Sequence, residues 1–142
     1  MKVLIKGAGD LATGVAAELY KRGYQIIMTE TQIPLSVRRQ VAFSRAVYEK
    51  TAEVEGITAR LAADAAQAQD ISAQGDIAVL VDPAAKILES YKPDVLVDAI
   101  LAKKNTGTKK DDAQAVIGLG PGFYGGKDCY AVIETMRGAT LG

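Results

Sequence analysis

The fold follows from the stretch Val3-Leu4-Ile5-Lys6-Gly7-Ala8-Gly9-Asp10-Leu11-Ala12 near the start of the chain. Its first three residues form a continuous apolar run, which is typical of a strand buried on both faces. The run stops at Gly7, and Leu11, Val15 and Leu19 then recur at helical spacing. A buried strand, a glycine-rich turn and a helix in this order predict a βαβ unit with a parallel sheet.

The turn itself reads G-x-G-x-x-A, a form of the dinucleotide-binding fingerprint. The first glycine turns the chain, the second lets a phosphate approach the backbone, and the small third residue allows helix and strand to pack. We therefore predict a cofactor site at Gly7, Ala8, Gly9, Asp10, Leu11 and Ala12. The alternative is that the glycines only make a tight turn. Asp10 would repel a pyrophosphate unless it turns aside as a helix cap, which is the role we expect.

Working outward, a second apolar strand over residues 25–29 ends in Glu30. A carboxylate at this distance from the glycines would accept hydrogen bonds from ribose hydroxyls. A helix is predicted from Ser36 to about Glu49, with its apolar residues, Val41 and Phe43 among them, facing inward. Two adjacent arginines near its start point about 100° apart, and we predict that Arg38 faces the site.

The remaining pattern is strand, helix, strand. Residues 51–61 alternate weakly and predict a hairpin, and 62–73 could be a helix or a loop. Residues 106–113 read as a loop rather than a boundary. We predict one Rossmann-like domain over residues 1–142, an α/β open and mostly parallel sheet with helices on both faces. Further strands are predicted at 77–81, 95–97 and 115–119, and a further helix follows Asp82-Pro83 and carries Ala84, Ile87, Leu88 and Tyr91.

A second wall of the site is predicted beyond the later strands. Four glycines between Gly120 and Gly126 supply the positive φ angles from which amides form an anion nest. The prediction takes in Gly120, Pro121 and Gly122, and the alternative is a flexible turn. Lys103 and Asn105 follow the strand that ends at Asp98 and could reach a phosphate or carboxylate; the alternative is a solvated loop.

Four acids fall at the predicted carboxyl ends of strands, where they could hold a cation such as Mg²⁺: Asp10, Glu30, Asp82 and Asp98. Carboxylates also cap helices at such places, and we predict no metal. Whichever role they have, these acids lie at the edge where open α/β sheets bind ligands.

Composition excludes several classes of function. The chain has no His, which removes Ser-His-Asp and Cys-His catalysis and H-E-x-x-H zinc sites. Its single Cys excludes intramolecular disulfides and fits a reducing compartment. Equal numbers of basic and acidic side chains, 17 of each, argue against nucleic-acid binding. The sequence lacks an apolar run of membrane-spanning length, so we expect a soluble, cytoplasmic protein.

Motifs along almost the whole chain resemble one family, the accessory proteins of selenium-dependent molybdenum hydroxylases. They are Lys6–Ala12 with Gly14, Val37–Arg39, Ala102-Lys103 with Asn105 and Gly107-Thr108, Ile117–Phe123, and Val132–Thr135 with Arg137-Gly138. The resemblance implies a Rossmann-like domain, a cytoplasmic location and a part in maturing a molybdenum hydroxylase. The chain is thereby similar to the accessory factors that handle molybdenum cofactor for xanthine dehydrogenase. Members of that family continue past a position equivalent to Gly142, so the resemblance implies either the N-terminal part of a longer family chain or a shorter relative.

Three functions are compatible with these features. The first is an accessory factor, not an enzyme by itself, that binds NAD or another dinucleotide, or a molybdopterin-type nucleotide cofactor, and delivers it to a molybdenum hydroxylase. The second is an NAD(P)-dependent oxidoreductase, which without His would need Lys, Tyr or an acid as proton donor. The third is a non-catalytic interaction module with a vestigial nucleotide site. A homodimer is one option for its assembly, and catalytic residues are left unassigned.

Overall fold

Eight strands and four α-helices form over residues 1–34, 39–101, 105, 107–120, 125–126 and 129–133, the part of the chain that the computed structural model describes. The strands are β1 Lys2–Lys6, β2 Gln25–Glu30, β3 Thr51–Val54, β4 Ile57–Ala62, β5 Ile77–Val81, β6 Val95–Asp98, β7 Ala115–Leu119 and β8 Ala131–Ile133. The helices are α1 Asp10–Lys21, α2 Ala46–Glu49, α3 Ala65–Ala73 and α4 Leu88–Tyr91.

The strands form one sheet in the order β3-β4-β5-β2-β1-β6-β7-β8. Only the β3–β4 pair is antiparallel among these strands, and its partners run from Thr51 opposite Arg60 to Val54 opposite Ile57. Without that hairpin, six strands remain, in the order β5-β2-β1-β6-β7-β8. Renumbered along the chain, they read 3-2-1-4-5-6, the dinucleotide-binding order. The order reverses between β1 and β6, which is where such folds bind ligands. The predicted Rossmann-like α/β fold is confirmed.

Helices cover both faces of the sheet because its central strands are apolar on both sides. On β1, Val3 and Ile5 pack with the buried alanines of α1, whereas Leu4 packs with α3 and α4 on the other face. Each face has its own core of buried residues. The layers therefore leave the carboxyl edge of the sheet between them as the place for a site.

Most predicted elements are present. The five predicted strands correspond to β1, β2, β5, β6 and β7, and the hairpin is β3–β4, whose second strand extends the sheet beside β5. The segment 62–73, left open between helix and loop, contains α3. Asp64 is its N-cap and accepts the Gln67 N–H at 2.8 Å.

The helix predicted from Ser36 to about Glu49 is present only at its end, as α2, and the prediction is wrong over Arg39–Arg45. Ala42 is extended, at φ −123° and ψ 135°, and separates a 3₁₀ turn at Arg39–Val41 from another at Phe43–Arg45. The backbone here is bound to the glycine turn instead of to its own helix, since Phe43 N–H donates to Thr13 Oγ1 and Ser44 N–H donates to Ala8 O. Phe43 is buried as predicted, but Val41 is exposed.

The helix predicted from Pro83 is shorter than expected. The Asp82 carboxylate accepts the N–H groups of Lys86 and Ile87, and Ala85 has a φ of +52°. A left-handed residue cannot continue an α-helix, so residues 82–87 form turns and α4 begins at Leu88. Asp82 binds amides of these turns but is not the helix cap that we predicted, because the N-cap of α4 is Ile87. Ala84 and Ile87 likewise precede the helix.

None of the helices in the described part of the chain combines the length and the apolar character that crossing a membrane requires.

Candidate functional site

A cleft of about 640 Å³ opens at the carboxyl edge of the sheet, at the point where the strand order reverses. It is formed by the segments that follow β1, β2, β5 and β6, and by the first turn of α1. Its described lining is Gly7, Gly9, Asp10, Leu11, Ala12, Thr29, Glu30, Thr31, Ile33, Pro83, Ala99, Ile100 and Leu101. The predicted glycine turn and Glu30 therefore lie in one cleft.

Gly7 follows β1 and packs against Ala99, the residue after β6, and both line the cleft. Its φ is +100°, and a Cβ atom there would lie 2.9 Å from the carbonyl oxygen of Ala99. The Gly7 N–H donates to Thr29 O at 2.7 Å. Only glycine satisfies this conformation and this close approach without strain, so the first glycine of the motif has a structural role.

Gly9 is the N-cap of α1 and, unlike Gly7, has open space beside its Cα. Its φ of −70° is open to any residue, and a Cβ atom there would meet no heavy atom of the described chain within 4 Å. The space beside it belongs to the cleft. The first-turn amides of a helix attract anions, so this arrangement leaves room for a ligand phosphate close to the backbone.

Ala8 and Ala12 support the turn from below, where both are buried in the core. Thr13 Oγ1 donates to Ala8 O at 3.3 Å, and the Ser44 N–H donates to the same carbonyl at 2.8 Å. Asp10 accepts the Leu11 N–H at 3.1 Å. It binds an amide of the first turn but is not the helix cap that we predicted, because the N-cap is Gly9 and Asp10 is the first helical residue.

Glu30 is held against the glycine turn by two backbone amides. Its Oε1 accepts the Ala8 N–H at 3.0 Å and its Oε2 accepts the Thr31 N–H at 2.7 Å. The carboxylate is therefore fixed in position at the tip of β2 while it lines the cleft. Its predicted role toward a ribose stays a prediction, and its orientation is compatible with that role.

Apolar side chains that line the cleft are unusually exposed. Leu11, Ile33, Ile100 and Leu101 have exposed fractions of 39%, 70%, 41% and 39%. Apolar residues that remain in contact with water around a concave site commonly contact the apolar part of a ligand.

Two other predicted site residues, Asn105 and Gly120, lie outside the cleft lining. Asn105 folds its own turn, because its Oδ1 accepts the N–H groups of Gly107 and Thr108 and its Nδ2 donates to Thr108 O. The Gly120 N–H donates to Ile133 O at 2.9 Å, so this amide is engaged within the chain. Neither residue lines the cleft. Arg38, Lys103, Pro121 and Gly122 lie outside the described residues, and their roles stay predictions.

The acids considered for a cation bind protein groups instead. Glu30 and Asp82 each accept two amides, and Asp98 accepts the Ile100 N–H and the Thr108 hydroxyl. Over the residues that the structure describes, no group of three or more acids or cysteines is arranged to hold a metal ion.

A buried polar chain beneath the cleft was missed at the sequence level. Lys6 Nζ donates to Thr108 Oγ1 at 2.8 Å, and this hydroxyl donates to Asp98 Oδ2 at 2.6 Å. All three residues are buried: Lys6 is 6% exposed, Thr108 3% and Asp98 2%. A charged residue that ends an otherwise apolar buried strand was the available signal for Lys6. Thr108 belongs to the Gly107-Thr108 family motif, but the sequence did not indicate its partners.

Comparison with known proteins gives one relative of similar sequence. The chain is 53% identical over 140 residues to a protein of Escherichia coli (strain K12) named "Uncharacterized protein YqeB". The match covers 99% of this chain and 26% of that protein, so the chain spans about a quarter of the length of the curated relative. No family model and no solved structure matches the chain.

Proposed function

We propose that this chain binds a nucleotide, or a cofactor that carries one, in the cleft between β1 and β6. The bound group would be NAD, another dinucleotide, or a molybdopterin-type nucleotide cofactor. We further propose that it serves as an accessory factor that retains this cofactor for a molybdenum hydroxylase. The family resemblance of the motifs supports this second step.

The observation that carries the binding proposal is the geometry around Gly9. The start of α1 faces a cleft at the strand-order reversal, and no described side chain occupies the space beside the Gly9 Cα. Glu30 is fixed beside the same turn, at the distance along the chain expected of a ribose-binding acid. Phosphate and ribose sites at this spacing are what a nucleotide requires.

The polar lining favours retention of a ligand over chemistry. The polar side chains that the described residues contribute are those of Asp10, Thr29, Glu30 and Thr31. Glu30 is occupied by two amides, and the chain has no His. Interactions that hold a ligand equally in ground and transition states lower Kd without accelerating a reaction. An accessory factor needs this property.

The second candidate, an NAD(P)-dependent oxidoreductase, is favoured by the strand order, which many nicotinamide enzymes share. Catalytic turnover of the cofactor distinguishes an oxidoreductase from an accessory factor that only binds it. The chain is incubated with NADH or NADPH and a panel of carbonyl acceptors, and the reduced cofactor is followed by its absorbance. We expect stoichiometric binding without turnover, and sustained oxidation that Gly9→Val abolishes would favour the oxidoreductase.

Binding is tested by thermal unfolding and calorimetry with AMP, NAD⁺, NADP⁺ and a molybdopterin dinucleotide. A ligand at a hundredfold excess over Kd adds about 2.7 kcal/mol to the free energy of unfolding. Gly9→Val should abolish this gain, because the new side chain occupies the phosphate space.

Gly14→Ala is the matched control. Gly14 lies inside α1, and a Cβ atom there, as at Gly9, would meet no described atom, but Gly14 lies outside the cleft lining. Retained binding in Gly14→Ala with loss in Gly9→Val supports the site. Equal responses of wild type and Gly9→Val to every probe would reject it, and a chain that binds none of them would favour the interaction module.

A further inference from the structure

The buried chain of Lys6, Thr108 and Asp98 joins three segments at the carboxyl edge of the sheet. Lys6 ends β1, Asp98 ends β6 opposite it, and Thr108 comes from the connection between β6 and β7. The hydrogen bonds run in one direction, from the ammonium to the hydroxyl and from the hydroxyl to the carboxylate. A threonine hydroxyl, which accepts one bond and donates another, is therefore the central group.

Burial of these groups is difficult to explain by stability. Taking a lysine and an aspartate out of water has a large desolvation cost, and apolar residues of similar volume are often equally or more stable. Elsewhere β1 has such residues at Val3, Leu4 and Ile5. The polar chain replaces them only at the edge beside the cleft, which points to a role in holding that edge in place.

Asp98 connects the chain to the cleft. While its Oδ2 accepts the Thr108 hydroxyl, its Oδ1 accepts the N–H of Ile100 at 3.2 Å. The Ala99 N–H donates to Lys6 O at 2.9 Å. Leu101 follows with a φ of +61°, a conformation that is strained for a non-glycine residue. The polar chain thus fixes the segment that places Ile100 and Leu101 at the cleft.

Ile100 and Leu101 form one of two apolar walls of the cleft. The other consists of Ile33, which follows β2, and Pro83, which follows β5. In the sheet, β2 and β5 lie on one side of β1 and β6 lies on the other. The walls therefore flank the glycine turn after β1, and a ligand with a phosphate at that turn could place one flat apolar group against each wall.

We propose that Thr108 is a positioning residue that, through Asp98, holds the Ile100–Leu101 wall for the second flat group of a two-part ligand. The cleft then prefers a dinucleotide to a mononucleotide. This inference rests on the proposed nucleotide-binding function and assigns one half of the site to a specific set of residues.

The test compares AMP, which has one flat group, with NAD⁺, which has two. Thr108→Val keeps the shape of the side chain and removes both hydrogen bonds. We expect it to weaken NAD⁺ binding about tenfold by calorimetry and to change AMP binding by less than about twofold. Thr108→Ser restores the hydroxyl and should keep both affinities within about twofold of wild type.

Leu101→Ala gives a second measurement that leaves the polar chain intact, in case Thr108→Val does not fold. It should reproduce the selective loss of NAD⁺ affinity. Equal losses of AMP and NAD⁺ affinity, or an unchanged NAD⁺ affinity in Leu101→Ala, would overturn the positioning role while the proposed function stands. A wild-type chain that binds neither AMP nor NAD⁺ would overturn the positioning role, and one that also fails to bind the molybdopterin dinucleotide would overturn the proposed function.

Discussion

At the scale of single residues, Gly7 and Gly14 provide a matched pair of glycines. Gly7→Ala should lower the free energy of unfolding by about 3 kcal/mol, because its positive φ and the 2.9 Å approach to Ala99 O both oppose a Cβ atom. Denaturant unfolding measures the change. Gly14→Ala should instead raise stability by about 0.5–1 kcal/mol, since Gly14 lies inside α1 with open space around it. Similar effects of the two substitutions would contradict this assignment.

Glu30 carries a second prediction at this scale. If the occupant is a nicotinamide dinucleotide, wild type should bind NAD⁺ at least about tenfold more tightly than NADP⁺, because the fixed carboxylate repels a 2′-phosphate. Glu30→Gln removes the charge and should narrow this ratio to about threefold. Calorimetry with both cofactors measures it. Tighter binding of NADP⁺ by wild type would show that Glu30 does not face the ribose.

At the scale of elements, the N-cap of α3 is open to a direct test. Asp64 accepts the Gln67 N–H at 2.8 Å, and Gln67 Oε1 accepts the Ala63 N–H at 2.5 Å. Asp64→Ala should cost about 1 kcal/mol of stability, whereas Asp64→Ser retains a capping oxygen and should cost much less. Denaturant midpoints of the two variants provide the comparison. An equal loss in both would mean that the cap does not stabilise α3.

Element boundaries were predictable where local chemistry decided them. Apolar runs ending at Gly7, Glu30 and Asp82 marked three strands, because buried parallel strands need continuous apolar residues. The first part of the helix predicted up to about Glu49 did not form, because Phe43 and Ser44 donate to Thr13 and Ala8, thirty residues or more earlier in the chain. Periodicity within a segment contains no information about such distant partners.

At the scale of the whole molecule, alkaline unfolding should depend on Tyr91. Burial, with a smaller contribution from the nearby Asp94, raises the pKa of this phenol from 10.0 to about 12, although a hydrogen bond with Ser72 acts to lower the pKa. The folded state therefore binds the phenol proton more tightly than the unfolded state does. The stability linked to this proton, about 3 kcal/mol, is complete below pH 10 and is lost as the pH rises through 12.

Tyr91→Phe isolates this contribution, because the two proteins differ only in the phenol group. The free energy of unfolding is measured with denaturant between about pH 8 and 12, a range that spans both pKa values. It should fall less steeply with rising pH in the variant than in wild type. Identical slopes in the two proteins would show that Tyr91 is not protected in the folded state.

The sequence by itself determined the fold class, the glycine turn and the edge of the sheet at which the candidate site lies. These features depend on apolar runs and on the Gly and Pro residues that end strands and helices, all within about thirty residues of each other, and these signals act locally. Only the tertiary structure decided that the hairpin extends the sheet beside β5, that Ser44 supports Ala8, and that Lys6 meets Thr108 across 102 positions of sequence. Such contacts form when packing brings distant polar groups out of water together, since each buried group must find a hydrogen-bond partner wherever the fold provides one.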